Sequence, residues 1–327
     1  MLTFNEMLIE RAYEFGGDVD WEVLSSRLGR DELLKRVARQ NLHYRSRSVR
    51  WKRFFSRQLI KHAAEWGFRL TGISGLGHRN FRDIQIIENP IEFSDLPNEF
   101  DKFRILQISD LHLDLDPGLA DVVVEKILPM KGQYDLAVLT GDFRNATYGD
   151  FHPALALTEK IVNTLDSPIY GVLGNHDYLE MAPRLESMGV CMLLNESTDL
   201  EHNGAKIALV GIDDPHLYQT DNMDRATADV CKGVFSILLS HAPETFEQAE
   251  AAGFNLFLCG HTHGGQICLP GGYPIVTHCE APRFCSRGNW AWKRMKGFTT
   301  TGTGGCGAAL RLNCPPEVVI HELKRSV

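Results

Sequence analysis

Residues 238–272 read LLSHAPETFEQAEAAGFNLFLCGHTHGGQICLPGG. Two apolar runs in this stretch, LLS at 238–240 and NLFLCG at 255–260, each stop at an imidazole: His241 after the first, His261 and His263 after the second. A short apolar run bounded by glycine or a polar turn reads as a buried strand. One histidine past such a strand is an ordinary cap or core residue. Three, two of them spaced H-x-H inside GHTHGG, raise the question of a metal.

The same arrangement recurs upstream. From Phe103 onward, RILQIS ends at Asp110 and His112, DLAVLT at Gly141-Asp142, IYGVLG at Asn175-His176-Asp177, and FSILLS at His241. KIALVGI supplies a further strand, and helical patterns at GLADVVVEKILPM, HPALALTEKIVNTL and LEMAPRLESMG alternate with the strands. Strands alternating with helices define an α/β fold with buried sheets. In open α/β sheets ligands bind beyond the carboxyl ends of strands, so these five distant segments converge on one rim. Glycines beside Asp142, Asn175 and His261 let the backbone turn sharply and approach a ligand closely. The last third, FTTTGTGGCGAALRLNCPPEVVIHEL, carries short β-like runs among many Gly and Thr, which implies a more antiparallel end to the sheet system. Its TGTGG (Thr301–Gly305) lacks the lysine and the following helix of a phosphate-binding loop.

The donor set consists of aspartates, an asparagine and several imidazoles. These hard-to-borderline donors suit Zn²⁺, Mn²⁺ or iron better than Ca²⁺. Seven ligands exceed one tetrahedral site and suit two metals about 3.5–4 Å apart sharing a bridging carboxylate. Such a pair lowers the pKa of a bridging water to give hydroxide, and neutralises a phosphoryl group during in-line displacement. His152, His216 and His278 belong to no motif and are not expected as ligands, and Asp213 and Asp214 in GIDDPH read as a capped turn.

The bulk properties are those of an ordinary globular chain: 327 residues, 43% hydrophobic, 23% charged. No apolar run approaches the roughly 18–20 residues that span a bilayer. The N-terminus lacks the apolar core of a secretory signal, so the expected location is cytoplasmic. Eight cysteines show no C-x-x-C pair and read as free thiols, which makes a cysteine-based zinc site unexpected. The net charge of −8 argues against a broad nucleic-acid track. The charge is uneven, however: Arg27–Arg69 holds thirteen Lys or Arg against three acids. Within it Trp51, Phe55, Leu59, Ala63 and Trp66 recur at helical spacing among basic residues, a basic amphipathic helix that either packs its aromatic stripe on the main domain or makes peripheral contact with an anionic membrane face. Residues 1–80 are therefore expected as a helical, basic N-terminal extension, and 81–327 as the catalytic domain.

The ordered set DLH, GD, GNHD, a later lone His and GHTHGG resembles the calcineurin-like metallophosphoesterases, over roughly Phe103–Leu323. GHTHGGQICLPGG and RLNCPPEVVIHEL look more narrowly like the bacterial phosphodiesterase branch of that family. The resemblance implies a four-layer sandwich, two mixed β-sheets flanked by helices, and a phosphodiesterase or pyrophosphatase with two divalent ions (Mn²⁺, Zn²⁺ or Fe²⁺/Fe³⁺). Asp110, His112 and His263 would hold the first metal, Asn175, His241 and His261 the second, and Asp142 would bridge. His176 would act on the phosphate or the leaving oxygen, with Asp177 orienting its ring. Asn175 and Arg144 are the candidate substrate contacts, Arg144 as a bidentate phosphate clamp. Asn145 stands where many members carry a second acid. The implied substrate is a small or lipid-linked phosphate ester, for instance a nucleotide-sugar lipid such as UDP-diacylglucosamine. A metal-dependent nuclease of the same fold and a non-catalytic scaffold are the alternatives.

Overall fold

Alternation along the apolar strands sorts their side chains into separate cores. The computed structural model describes residues 19–45, 73–277 and 279–326. One six-stranded sheet holds β1 (Gln85–Phe93), β2 (Arg104–Ile108), β3 (Leu136–Leu139), β4 (Ile169–Gly171), β5 (Val190–Met192) and β14 (Glu317–Arg325), in the order β1-β14-β2-β3-β4-β5. The other holds β6 (Glu196–His202), β7 (Ala205–Gly211), β8 (Ser236–Leu239), β9 (Leu256–Cys259), β12 (Gly288–Trp292) and β13 (Met295–Thr299), in the order β12-β13-β9-β8-β7-β6. A short hairpin, β10 (Cys268–Leu269) and β11 (Tyr273–Pro274), completes the set. Both sheets are mixed. β2 to β5 run parallel, as do β7, β8, β9 and β13, while β14 is antiparallel to β2, β12 to β13 and β6 to β7.

In β8, Ile237 and Leu239 enter the core between the sheets, and Leu238 points to the outer one. In β2, Ile105 faces inward while Leu106 and Ile108 face the helices. Helices at Leu119–Ile127, His152–Val162 and Met181–Ser187 cover the first sheet, and Phe246–Ala252 covers the second. The result is the helix–sheet–sheet–helix sandwich. The sequence reading named no strand at β12, at the β10–β11 hairpin or at β6; β6, ESTDLEH, is an edge strand on which only Leu200 is buried and which therefore shows no apolar run.

The described part of the expected N-terminal extension is helical, at Trp21–Leu28, Arg30–Arg45 and Ile73–Arg82, the last crossing the expected boundary at residue 80. It is built into the domain. Leu24, Leu28, Leu33 and Val37 are buried in the same core as Leu119 and Leu139. Arg27 forms a forked pair with Glu196 at 2.9 Å and meets Glu186 at 2.7 Å. The basic aromatic run Trp51–Trp66 lies outside the described residues.

A polar chain crosses the inter-sheet core. Asn289 donates to Asn89 (2.7 Å), Asn89 meets His321 Nδ1 (2.9 Å), and His321 Nε2 meets Gln107 Oε1 (2.9 Å). Gln107 Nε2 then donates to Thr140 Oγ1 and to the Cys259 carbonyl in the opposite sheet, both at 3.1 Å. With an amide donor at one nitrogen and a carbonyl acceptor at the other, His321 is a neutral ring. Burial pushes its pKa down from 6.5 to about 3. The unfolded chain therefore takes up this proton first as pH falls. The stabilisation is complete above pH about 6.5 and is lost toward pH 3, at up to about 1.4 kcal/mol per pH unit. His321→Gln should lower stability at pH 7 by about 1–3 kcal/mol, yet lose less on going from pH 6.5 to 4.5. Urea midpoints across that range check this, and equal slopes for both proteins would refute it.

Candidate metal centre

Every ligand candidate sits just past the carboxyl end of a parallel strand. Asp110 and His112 follow β2, Asp142 follows β3, Asn175 and His176 follow β4, His241 follows β8, and His261 and His263 follow β9. Five of these residues adopt left-handed backbone: Asp110 (φ 54°), His112 (45°), Asp142 (57°), His261 (70°) and His263 (50°). Non-glycine residues rarely do so, and each such position costs on the order of 1–3 kcal/mol. The loops reverse so tightly that side chains from both sheets reach one point.

Close backbone approach makes this possible at two glycines. A Cβ on Gly174 would stand 2.2 Å from Asp142 Oδ1, and one on Gly260 would stand 2.3 Å from Asp110 Oδ2. Neither site tolerates a side chain without moving the carboxylate.

The seven candidates come together as two nests sharing one oxygen. In the first, His263 Nε2 lies 3.2 Å from His112 Nε2 and 3.4 Å from Asp110 Oδ1. In the second, His241 Nε2 lies 3.0 Å from Asn175 Oδ1 and 3.2 Å from His261 Nδ1. Asp142 Oδ2 stands between them, 3.4 Å from His112 Nε2 and 3.2 Å from His241 Nε2. Ligands bound at about 2.0–2.1 Å around one tetrahedral cation are separated by roughly 3.4 Å, so these spacings match a coordination shell. The ring orientations match too. His112 Nδ1 donates to the Arg144 carbonyl and His241 Nδ1 to the Thr140 carbonyl, each at 2.8 Å, which turns Nε2 toward the pocket.

Burial decides the ring charges. It pushes His112 down to about 4, His261 to about 3, and His263 well below its usual value, so these three are neutral donors at pH 7. The neutral His112 thus points a lone pair at a carboxylate oxygen. A cation between these two acceptors would satisfy both. Burial also opposes ionisation of Asp142, but His241 and His176 outweigh it and hold its carboxylate well below the ordinary range. Asp142 and Asp110 in turn hold His241 above its usual value against the same burial.

His176 stands at the mouth, its side chain 13% exposed and Nε2 4.0 Å from Asp142 Oδ2. Burial works against its charged form, but Asp142 prevails and pushes it up to about 10.

Two expected roles are corrected. Asp177 does not touch the His176 ring, because its oxygens accept the backbone N–H groups of Asp142 (2.8 Å), Phe143 (3.0 Å) and Gly174 (2.8 Å). The carbonyl of Asn145 takes the ring instead, 2.5 Å from His176 Nδ1. Arg144 is not a phosphate clamp. It is fully buried, its guanidinium donates to the carbonyls of His176 (2.7 Å) and Gly149 (3.0 Å), and it stacks 3.8 Å above the Tyr178 ring.

Three contributors were missed. Arg36, from the N-terminal helices, is fully buried, stacks on Tyr218 at 3.6 Å and donates to the Asp177 carbonyl at 3.1 Å. Arg311 is also fully buried and ties Gly304 O (2.9 Å) and Thr301 O (2.7 Å) beside His263 Nδ1 (3.3 Å). TGTGG therefore packs under Asp110, with Gly304 N–H donating to the Asp110 carbonyl at 2.9 Å. Finally, His216, expected to be no ligand, holds its ring 4.2 Å from that of His261, tilted by 48°, and bonds Glu244 at 2.8 Å.

Residues 103–265 match the family described as calcineurin-like phosphoesterase. The chain is 30% identical to an uncharacterized metallophosphoesterase of Bacillus subtilis, YkuE, over 78% of this chain and 92% of that one. It is 27% identical to the Escherichia coli phosphodiesterase YaeI over 76% and 93%. Among solved structures it is similar to Haemophilus influenzae NAD nucleotidase (TM-score 0.38, 16% identity), over 61% of this chain and 50% of that one, so it spans half of that chain. A metal-binding constellation on a helix–sheet–sheet–helix sandwich defines a metal-dependent phosphoester hydrolase. The chain belongs to the calcineurin-like phosphoesterases, the family expected from its motifs.

Gly174→Ala should displace the Asp142 carboxylate and lower turnover on the order of 10²-fold, as sub-ångström misplacement does in active sites. Gly75→Ala, where a Cβ meets nothing within 4 Å, should leave turnover unchanged. Steady-state rates on one phosphate ester compare them, and wild-type turnover in Gly174→Ala would contradict the close-approach argument.

Proposed function

We propose that the chain hydrolyses a phosphodiester or diphosphate with two divalent cations. Asp110, His112 and His263 would hold one, Asn175, His241 and His261 the other, and Asp142 would be shared. The observation that carries this reading is the place of Asp142 Oδ2, within 3.4 Å of an imidazole from each nest. Cations bound there would supply charge neutralisation on the phosphoryl group and acidify a water to make the nucleophile.

The protein's own groups do the rest. The left-handed loops and their carbonyl partners hold the imidazoles in one orientation, so little reorganisation remains when charge develops. His176, its Nδ1 fixed by the Asn145 carbonyl and its Nε2 on the side of Asp142, would hand its Nε2 proton to the departing oxygen. Asp177 and Arg36 are positioning residues that act through the two loops bearing Asp142 and His176.

The substrate we favour is lipid-linked or a nucleotide-sugar phosphate, worked on at the cytoplasmic face of a membrane. The basic aromatic run Trp51–Trp66 supports a surface contact, and the E. coli relative is named a phosphodiesterase. Among the described residues no helix is long and apolar enough to cross a membrane. A retired scaffold is disfavoured because all seven donors are present and converge.

Elemental analysis of the purified chain should find about two metals, with cleavage of bis-p-nitrophenyl phosphate exceeding that of p-nitrophenyl phosphate. Asp142→Ala should lose both metal and turnover. His176→Ala should keep the metal while turnover falls by about 10²–10⁴-fold. Full activity in Asp142→Ala would overturn the assignment, and metal loss in His176→Ala would overturn the acid role.

A further inference from the structure

The segment after β13 brings a thiol to the rim that no ligand motif contains. Cys306 is exposed, and its Sγ lies 3.8 Å from His176 Nε2. The Cys306 sulfur and ring nitrogens of His112 and His263 all lie within 4.8 Å of one another. His112 gives its Nδ1 proton to the Arg144 carbonyl, so its Nε2 lone pair faces this same space.

The motif segments themselves fix the loop. Gln266, three residues past His263, accepts the Cys306 N–H at its Oε1 (2.8 Å). Its Nε2 donates to the carbonyls of Cys306 (3.2 Å) and Ala308 (3.0 Å). Asn145 Oδ1 accepts the Gly307 N–H at 2.8 Å, and the carbonyl of the same residue orients His176. Asn145 is the position at which the sequence departs from the family's second acid, and here its amide ties down the neighbour of the cysteine. Buried Arg311 clamps the base of the loop at Gly304. The thiol is therefore held over the first nest by the segments that build the nest.

We propose that Cys306 is a thiolate donor to the cation position of His112 and His263. The proposal rests on the dinuclear reading above and adds to it a chemical difference between the two positions. Sulfur–metal bonds of about 2.3 Å are slightly longer than nitrogen bonds, and a side-chain rotation of the exposed cysteine closes the remaining distance. When the S–metal bond forms, the thiol proton leaves to solvent and metal binding releases one proton. A soft donor on this side favours zinc or ferrous iron there over manganese, whereas the Asp142, Asn175, His241 and His261 side keeps nitrogen and oxygen donors only. The same residue faces incoming substrate beside His176, so the sulfur has to yield its place or share it when a phosphate ester enters.

Cobalt(II) reports sulfur ligation directly. The purified full-length chain loaded with Co²⁺ should show visible d–d bands together with a near-ultraviolet sulfur-to-cobalt charge-transfer band. Cys306→Ser should keep the d–d bands, which also show that it is folded, and lose the charge-transfer band. The retained ratio of zinc to manganese should fall at least about tenfold in the variant. Wild-type d–d bands without charge transfer would overturn the thiolate ligand and leave the metal centre standing. No bound cobalt at all would overturn the metal reading and the proposal with it.

Discussion

The carboxylate of Asp142 is the contact on which the rest of the site depends. It is 2% exposed, and a carboxylate taken out of water costs several kcal/mol unless it is paired and hydrogen-bonded. Three other loops answer that demand. His176 N–H donates to Oδ1 at 2.8 Å, and His112 and His241 face Oδ2. The backbone of the same residue donates to Asp177 and accepts from His112 N–H at 3.1 Å. The loops after β2, β3, β4 and β8 are thus bound to one another through a single residue. A charge that would be a liability in a core becomes the tie between two sheets, provided that a cation balances the remaining acceptors.

The left-handed donors follow from the same geometry. Parallel strands in two facing sheets end about a sheet spacing of 10 Å apart, too far for side chains on smoothly continuing loops to share a cation. Reversing the chain at Asp110, His112, Asp142, His261 and His263 brings the donors inward within one or two residues. Five such positions together cost a large part of the roughly 5–15 kcal/mol by which domains are stable. They persist because long-range bonds over-determine each loop: Asp177 on Asp142 and Phe143, Arg311 on the 301–304 turn, and Gly304 on Asp110.

This explains what was and was not legible in the sequence. Strand ends and their polar residues are local features, so DLH, GD, GNHD and GHTHGG could be placed on one rim from spacing alone. The carboxylate–amide bonds of Asp177 span 34–35 residues to reach Asp142 and Phe143, and nothing in the local pattern of GNHD separates a ring-orienting acid from a loop-clamping one. Arg144 next to a site reads as a phosphate ligand until Tyr178 and two carbonyls are seen around it. Cys306 belongs to a Gly-rich turn with no periodicity, and only Gln266 and Asn145, 40 and 162 residues away from their partners on that turn, bring it to the metal nest.

The N-terminal helices show a further limit of counting charges. Thirteen basic residues between Arg27 and Arg69 look like a surface field. Six of them, Arg27, Arg30, Lys35, Arg36, Arg39 and Arg45, lie on the described helices, and Arg27, Lys35, Arg36 and Arg39 turn onto the domain. Arg27 pairs with Glu186 and Glu196, Lys35 donates to the Gln219 carbonyl, and Arg36 donates to Asp177 O. Arg39 donates to the Tyr218 carbonyl at 2.7 Å. A guanidinium held on backbone carbonyls or paired with a carboxylate projects little field outward. These four residues are thus spent on contacts within the domain, and Arg36 among them reaches the loop after β4. Arg36 joins the two halves of the chain: its partner, the Asp177 carbonyl, is one residue from His176 and on the loop that fixes Asp142.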